Sequence, residues 1–314
     1  MHKSISGALV ALFASMALHA QVTPVKSLLL YPEGQSVDKG IVEDGKAITL
    51  GPVESNELTG APTLTDTGNM GNIGDDARID IYIPEHCNGQ MIVCCPGGGY
   101  KYCSSYNEGT YVAQWAVEHN IAICVVLYRM PNHHYMVPLQ DVQNAFRYCR
   151  AHADEWGVRQ IGIMGFSAGG HLAATATTLY IDQVTRPDFS VLVYPVITME
   201  PGVTHKGTCS NLTAYDPELM KYYSLENQVH VGMPHTLLLL CQDDKTVPCE
   251  NSIRFYRSMV EHKVPGELHI FTEGGHGWGF TTSEHGKDKL GEAQRADFFK
   301  VLERWLGDRA AQMK

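Results

Sequence analysis

The sequence predicts an α/β fold in which helices cover both faces of a mostly parallel, doubly wound sheet. Several apolar runs are continuous rather than alternating, such as Ile121–Leu127, and this pattern is typical of strands buried on both faces. Helix-like segments alternate with these runs from residue 77 onwards, as in a parallel sheet. We therefore expect one large domain over residues 76–314.

The predicted elements follow one another in a regular order. Strands are expected at Ile79–Ile83, Met91–Cys95, Ile121–Leu127, Ile161–Met164, Ser190–Tyr194, Thr236–Cys241 and Glu267–Phe271. Helices are expected at Glu108–Glu118, Leu139–Ala153, Ala168–Tyr180, Glu250–His262 and Glu292–Trp305. Residues 196–233 interrupt the alternation, and they are either a cap insertion over a pocket or a plain surface loop.

The N-terminal residues are expected to lie outside this domain. Residues 1–20 resemble a signal peptide, since Lys3 precedes an apolar stretch and Ala20 offers a small-residue cleavage site. The stretch is too short to span a membrane. Residues 21–75 are polar and are predicted to form an extended lead-in with a few edge strands. We therefore expect a secreted or periplasmic protein without a membrane span.

The sequence does not predict a nucleic-acid partner or a metal site. The net charge is −10 and no run of Lys or Arg stands out, so nucleic acid is not an expected partner. The adjacent His133 and His134 would point to opposite faces of a strand, so no metal site is predicted.

The nine cysteines do not have the spacing of a zinc site. Most are expected as buried free thiols, although export would permit one disulfide whose partners the sequence does not assign. The clearest candidates for buried thiols, which lie within apolar runs, are Cys94, Cys95, Cys124 and Cys241.

A serine on a sharp turn is the strongest candidate for chemistry. Gly165-Phe166-Ser167-Ala168-Gly169 reads Gly-x-Ser-x-Gly and lies between an apolar strand and a helix-like segment. This context is that of a nucleophile elbow, in which glycines allow a close approach of the backbone. We therefore predict that Ser167 is a nucleophile that needs a base and an orienting carboxylate.

Candidates for the base and the carboxylate follow two later strands. Asp243 and Asp244 come directly after a buried run, where the carboxyl ends of parallel strands form the ligand edge of a sheet. His276 lies on a glycine-rich loop after the next strand. The chain order Ser, Asp, His in α/β-hydrolases predicts His276 as the base and one of these two aspartates as its partner. The spacing Asp244-x-x-Val-Pro resembles that of this family and favours Asp244 over Asp243, which would then cap the loop.

A glycine-rich loop offers donors for an oxyanion. The strand Met91–Cys95 runs into Pro96-Gly97-Gly98-Gly99-Tyr100. We predict that the N–H of Gly98 or Gly99, together with that of Ala168, forms an oxyanion hole, and that Tyr100 lies beside the acyl group. A phosphate-binding loop is not supported, because neither Gly-Lys-Ser/Thr nor Gly-x-Gly-x-x-Gly follows the strand.

Together these motifs resemble one family, the exported α/β-hydrolase esterases of carbohydrate-degrading bacteria of the acetyl xylan and feruloyl esterase type. The resemblance covers roughly Ile79 to Trp305 and rests on Pro-Gly-Gly-Gly-Tyr, Glu108-Gly109, Tyr128-Arg129-Met130-Pro131, Gly-Phe-Ser-Ala-Gly-Gly-His-Leu, Arg186-Pro187-Asp188 and Gly-Gly-His-Gly-Trp-Gly. Within these motifs Trp278 is a further candidate for substrate binding. For Glu108 and Arg129 we expect internal ion pairs.

The resemblance implies a serine esterase without a metal or cofactor, acting on an oligosaccharide ester. The implied substrates are O-acetyl groups on xylan or xylo-oligosaccharides, with feruloyl esters as a further class. Three alternatives stay open. A prolyl-oligopeptidase-like peptidase would need a propeller or an acidic clamp, and a glycoside hydrolase would need paired carboxylates. A non-catalytic carbohydrate-binding protein would not need a Ser-Asp-His set.

Overall fold

A central eight-stranded sheet organises the molecule. The computed structural model describes residues 23–30, 41–43, 46–48, 63–64, 68–71, 73, 77–131, 134–282 and 288–313. The strands of the sheet are β1 (Lys26–Leu29), β2 (Arg78–Tyr82), β3 (Gln90–Cys95), β4 (Ala122–Leu127), β5 (Gln160–Phe166), β6 (Phe189–Val193), β7 (His235–Cys241) and β8 (Gly266–Phe271).

The sheet order is β1-β2-β4-β3-β5-β6-β7-β8. β2 is antiparallel to both of its neighbours, and the six strands from β4 to β8 along this order are parallel. Every residue of β3 and β4 is buried, which explains why their sequences are continuous apolar runs. The predicted fold class is confirmed.

The described part of the chain contains seven α-helices. They are α1 (Tyr111–Glu118), α2 (Val137–His152), α3 (Ser167–Thr178), α4 (Lys206–Thr213), α5 (Pro217–Tyr222), α6 (Glu250–Glu261) and α7 (Glu292–Ala310). α1 and α7 share one face, where the Trp115 and Phe299 rings stack 5.9 Å apart. α2 and α3 pack against each other and against the sheet.

Most predicted bounds agree with the structure to within a few residues. The last helix extends to Ala310 rather than ending at Trp305, and the first helix starts later than predicted. The helix predicted to start at Glu108 starts at Tyr111, because Tyr106–Thr110 forms a single π-helical turn. Such turns are frequent at functional sites. Here the turn places the Glu108 side chain in the interior, where it is 3% exposed.

The polar lead-in contributes to the domain in two places. β1 pairs antiparallel with β2 at the edge of the central sheet. Asn69–Gly71 pairs with both Thr63–Leu64 and Cys103–Ser104 in a small second sheet. Elsewhere in the lead-in, Ile41–Glu43 and Lys46–Ile48 pair with each other. The predicted signal peptide, residues 1–20, lies outside the described residues.

All nine cysteines lie in the described part of the chain, and all nine are free thiols. Burial raises the pKa of the thiols of Cys94, Cys95 and Cys103, so these residues act as small apolar core side chains. No helix among the described residues is long and apolar enough to cross a membrane.

Candidate active site

Ser167 lies on a strained turn between β5 and α3. Its φ is +53°, in the left-handed region that non-glycine residues rarely adopt. The two glycines of the motif are sterically required, because a Cβ on Gly165 would lie 2.2 Å from the carbonyl oxygen of Gly169, and a Cβ on Gly169 would lie 2.2 Å from that of Cys95. The turn is therefore a nucleophile elbow in its geometry.

The structure brings Ser167, His276 and Asp244 into one hydrogen-bonded chain. His276 Nε2 lies 2.8 Å from Ser167 Oγ, and His276 Nδ1 lies 2.6 Å from Asp244 Oδ2. An ionised carboxylate only accepts hydrogen bonds, so Nδ1 carries the proton and Nε2 is left to accept the serine proton. Because β5, β7 and β8 are parallel, the loops after them meet at one edge of the sheet.

The two neighbouring aspartates have different partners. Asp244 Oδ1 accepts hydrogen bonds from the backbone N–H groups of Thr246 and Val247, at 2.9 and 2.8 Å. Asp243 accepts instead from the N–H groups of Gly275 and Gly274, at 2.8 and 3.3 Å. Asp244 therefore orients the imidazole of His276, and Asp243 caps the loop that carries it.

The glycine-rich loop after β3 faces the nucleophile. Gly98 and Gly99 have φ values of +130° and +67°. Among the described residues, the N–H groups of Gly98, Gly99 and Ala168 have no hydrogen-bond acceptor. The N–H of Gly97 is engaged with Glu108 and is therefore excluded as an oxyanion donor. The loop leaves the choice between Gly98 and Gly99 open.

Glu108 connects the glycine loop to the loop that carries the base. Its Oε2 accepts from the Gly97 N–H at 2.8 Å, and its Oε1 accepts from the Tyr194 hydroxyl at 2.7 Å. The Tyr194 oxygen in turn accepts from the Gly279 N–H at 2.9 Å, and the Tyr194 ring lies 4.8 Å from that of His276. Burial raises the pKa of the Glu108 carboxyl.

The expected ion pair is therefore wrong for Glu108, since its partners are neutral donors. It is confirmed for Arg129, whose Nη2 lies 2.6 Å from Asp141 Oδ1 in the interior. A sequence cannot distinguish these two cases, because the partners of Glu108 come from distant loops.

We expect Glu108→Gln to lower kcat about 10- to 100-fold. In glutamine an NH₂ group replaces one of the two carboxylate oxygens, so the hydrogen bonds from Gly97 and Tyr194 cannot both stay as they are, and the glycine loop must shift relative to Ser167. The measurement is kcat and KM for an aryl acetate, with the free energy of unfolding as the control. An unchanged kcat in a folded variant would show that the loop does not depend on Glu108.

Ser167, His276, Gly98, Gly99 and Glu108 line a cleft of about 630 Å³. Clefts of this size hold small ligands. Side chains from several elements complete the lining, namely Asn69, Lys101, Tyr102, Ser104, Asn107, His205, Asn211, Thr246, Trp278, Thr281 and Lys289. Another cavity, of about 510 Å³, lies between α5 and α6 and contains none of the predicted site residues.

The part of the chain that the structure describes contains no group of three or more His, Cys, Asp or Glu residues arranged to hold a metal ion. His133, half of the histidine pair in the sequence, lies outside the described residues.

Comparison with known proteins places the chain in a family. The family model described as BD-FAE matches residues 79–190, which include the glycine loop and Ser167. An acetylxylan esterase of Xylanibacter ruminicola is 38% identical over 67% of this chain and 46% of that protein. An endo-1,4-beta-xylanase B of Butyrivibrio fibrisolvens is 32% identical over 58% of this chain and 31% of that protein. The chain thus spans less than half the length of these curated relatives.

For one solved structure the similarity covers most of the matched chain. The acetyl ester-xyloside bifunctional hydrolase from Caldicellulosiruptor lactoaceticus is 32% identical, with a TM-score of 0.65, over 74% of this chain and 88% of that chain. The chain belongs to the α/β-hydrolase esterases of the acetyl xylan and feruloyl esterase type. A sugar hydrolase from Lactococcus lactis, at 24% identity and a TM-score of 0.68, has the same fold.

One residue predicted for substrate binding in this α/β-hydrolase does not line the cleft. The Tyr100 side chain is 3% exposed, and its hydroxyl lies 3.0 Å from His171 Nδ1. His171 Nε2 is 2.9 Å from the Tyr223 carbonyl oxygen, so Nε2 carries the proton and Nδ1 accepts from Tyr100. At φ +58° the Tyr100 backbone turns the ring into the core, and its neighbour Tyr102 lines the cleft instead.

His171 gives a test of this buried pair. Burial lowers the pKa of His171 to about 4, so the unfolded chain binds a proton near pH 6.5 that the folded chain binds only near pH 4. We expect His171 to remove about 3 kcal/mol of stability as the pH falls across this interval. The measurement is the free energy of unfolding at both ends of it, for the wild type and for His171→Gln.

Glutamine can replace both hydrogen bonds of His171 without titrating. The wild type should therefore lose more stability on acidification than this variant. Equal losses in the two proteins would contradict a neutral, buried His171.

Trp278, in contrast to Tyr100, lines the cleft, although it is almost fully buried. Its side chain is 1% exposed and packs edge-to-face on Tyr194 and Phe298, with ring centroids 4.9 and 4.8 Å apart. The indole therefore packs against Tyr194 beside the His276 loop, and its contact with the substrate stays a prediction.

Sequence reasoning missed the residues that enter the cleft from outside the motifs. Asn69 comes from the lead-in, and His205 and Asn211 come from the segment 196–233. The only signal for the latter two was that this segment follows a strand at the carboxyl edge of the sheet.

Proposed function

We propose that this α/β-hydrolase is a serine carboxylic-ester hydrolase that removes O-acetyl groups from xylan or xylo-oligosaccharides, with feruloyl esters as a further class. The observation that carries the proposal is the chain of hydrogen bonds from Ser167 Oγ through His276 to Asp244. The curated relative named acetylxylan esterase and the solved acetyl ester-xyloside hydrolase support the choice of substrate class.

The first half of the reaction forms an acyl-enzyme. His276 Nε2 takes the proton of the Ser167 hydroxyl as Oγ attacks the ester carbonyl carbon. The N–H of Ala168 and that of Gly98 or Gly99 stabilise the negative oxygen of the tetrahedral intermediate. Asp244 stabilises the imidazolium, which then gives its proton to the departing sugar oxygen.

The second half releases the acid. Water enters the cleft and loses a proton to His276 as its oxygen attacks the acyl carbon. The proton then passes from His276 to Ser167 Oγ as the ester bond to the enzyme breaks. This sequence uses protein groups alone for proton transfer and charge stabilisation.

Glycoside hydrolysis fits the cleft less well. Most glycosidases use two carboxyl groups that flank the scissile bond. Among the described residues that line the cleft, Glu108 is the single carboxyl side chain, and both of its oxygens accept buried hydrogen bonds. Ester cleavage is therefore favoured, although the names of two similar proteins mention xylanase or xyloside hydrolase activity.

We further propose secretion or export to the periplasm, directed by residues 1–20. An apolar stretch after Lys3 and the small residues before Gln21 support this proposal. A polymeric substrate such as xylan would be met outside the cytoplasm.

The test is acetate release from acetylated xylo-oligosaccharides by the wild type and by Ser167→Ala. We expect release by the wild type alone. Cleavage of an aryl acetate without release from the oligosaccharide would retain the esterase and refute the xylan substrate. A xylo-oligosaccharide without acetyl groups, in the same assay, tests for glycosidase activity, and shortening of the chain would contradict the preference for ester cleavage.

A further inference from the structure

His205 is a second histidine in the cleft, and the triad does not use it. It lies in the segment 196–233 and lines the cleft together with Ser167, His276 and Gly99. Its Cε1 lies 3.4 Å from the position that a Cβ on Gly99 would occupy. The ring is therefore next to the glycine loop that faces the nucleophile.

The hydrogen bonds of His205 fix which ring nitrogen is protonated. His205 is the N-cap of α4, and its Nδ1 accepts from the Thr208 backbone N–H at 3.2 Å. Nδ1 also lies 2.8 Å from Thr208 Oγ1. A nitrogen that accepts from a backbone N–H carries no proton of its own, so the proton of the neutral ring is on Nε2.

The remaining donor is free to bind a ligand. Among the described residues, no hydrogen-bond partner is found for His205 Nε2. Burial, and after it the nearby His276, lowers the pKa of His205, which keeps the ring neutral and the tautomer defined.

A second contact holds this donor in place relative to the nucleophile. Asn211, on α4, donates from Nδ2 to the Gly99 carbonyl oxygen at 2.8 Å. The helix that His205 caps is thus attached directly to the glycine loop. An oriented donor on a rigid support is the usual way in which a pocket specifies its ligand.

The chemistry of an acetyl ester determines which substrate oxygen can accept a hydrogen bond from His205 Nε2–H. The acetyl group offers one acceptor, the carbonyl oxygen, and the oxyanion donors take it. Further acceptors belong to the alcohol, and on a sugar the hydroxyl oxygens next to the ester are the strongest of them, because the bridging ester oxygen is a weak acceptor. We propose that His205 is a specificity-determining residue whose Nε2–H donates to a sugar hydroxyl beside the scissile acetyl ester. This inference rests on the proposed esterase function.

The test compares two substrates that differ in this hydroxyl. One is a methyl xyloside carrying a single acetyl group and a free neighbouring hydroxyl, and the other is its deoxy analogue without that hydroxyl.

The variant is His205→Ser, because serine is also a preferred N-cap and keeps the cap of α4 while it removes the ring. Asp216→Ala is the matched control, since it removes the side chain that caps α5 in the same segment and lies outside the cleft.

We expect His205→Ser to lower kcat/KM for the hydroxyl-bearing ester about tenfold, which corresponds to one lost neutral hydrogen bond. The deoxy analogue and 4-nitrophenyl acetate should change less than about twofold. In the wild type, removal of the hydroxyl should itself cost about tenfold, and this comparison does not depend on the folding of any variant. Asp216→Ala should affect all three substrates equally.

Other outcomes overturn the inference. An equal loss on all three substrates in His205→Ser would assign the donor to the carbonyl oxygen instead. No loss on any substrate would show that Nε2 does not contact the substrate. In both cases the wild type still cleaves the esters, so the proposed function stands. If the wild type cleaves 4-nitrophenyl acetate alone, or cleaves none of the three, the sugar-ester function fails and this inference fails with it.

Discussion

Ser167→Ala is expected to lower kcat for an aryl acetate by at least about 10³-fold while the protein stays folded. The reason is that Ser167 Oγ is the atom 2.8 Å from the Nε2 acceptor of His276, and alanine leaves that base without a proton to take. Residual activity would come from the oxyanion donors and from substrate binding. The measurement is kcat on purified wild type and variant, with the free energy of unfolding of both.

The hydroxyl is a small part of a strained turn, so the substitution should not harm stability. Alanine at φ +53° meets about the same steric cost as serine. A folded variant that keeps more than about a tenth of the wild-type kcat would contradict the role of Ser167 as the nucleophile.

Asp244→Asn is expected to lower kcat about 10³- to 10⁴-fold, and Asp243→Asn less than tenfold. In Asp244 one carboxylate oxygen is held by the N–H groups of Thr246 and Val247, and the other accepts from His276. An asparagine oxygen would stay with the two backbone donors and turn its NH₂ towards His276 Nδ1. That NH₂ favours the tautomer with the proton on Nε2, which cannot accept the serine proton.

The neighbouring aspartate is the matched control for this effect. Asp243→Asn makes the same chemical change one residue away and keeps an oxygen for the closer Gly275 N–H. Both variants are compared by kcat, KM and unfolding free energy. If Asp243→Asn lost more activity than Asp244→Asn, the third member of the triad would be reassigned to Asp243.

The sequence is informative where chemistry depends on local geometry. The motif around Ser167 predicts an elbow because only glycine fits where the backbone of Gly165 and Gly169 approaches other chain segments closely. Asp244 and His276 are found because parallel strands deliver the loops after them to one edge. The continuous apolar runs predict the parallel sheet, because a strand that is buried on both faces shows no alternation of apolar and polar residues.

The sequence is uninformative where the role of a side chain depends on partners that are distant in the chain, or on the direction in which the side chain points. The hydrogen bonding of Glu108 depends on Tyr194, which is 86 positions away in the sequence. Its burial depends on a π-helical turn that no sequence pattern indicated. Tyr100 follows the glycines as expected, but its φ of +58° sends the ring inward to His171. His205 lies in an irregular segment whose docking on Gly99 is a tertiary contact.

The most direct test of the account is covalent labelling of the full chain with a fluorophosphonate, followed by peptide mapping. We predict one label per molecule, on the peptide that contains Ser167. The label should be absent from Ser167→Ala and should form much more slowly in His276→Gln, because the serine then has no base. A stoichiometric label on another residue, or an active protein that the probe does not modify, would contradict Ser167 as the nucleophile.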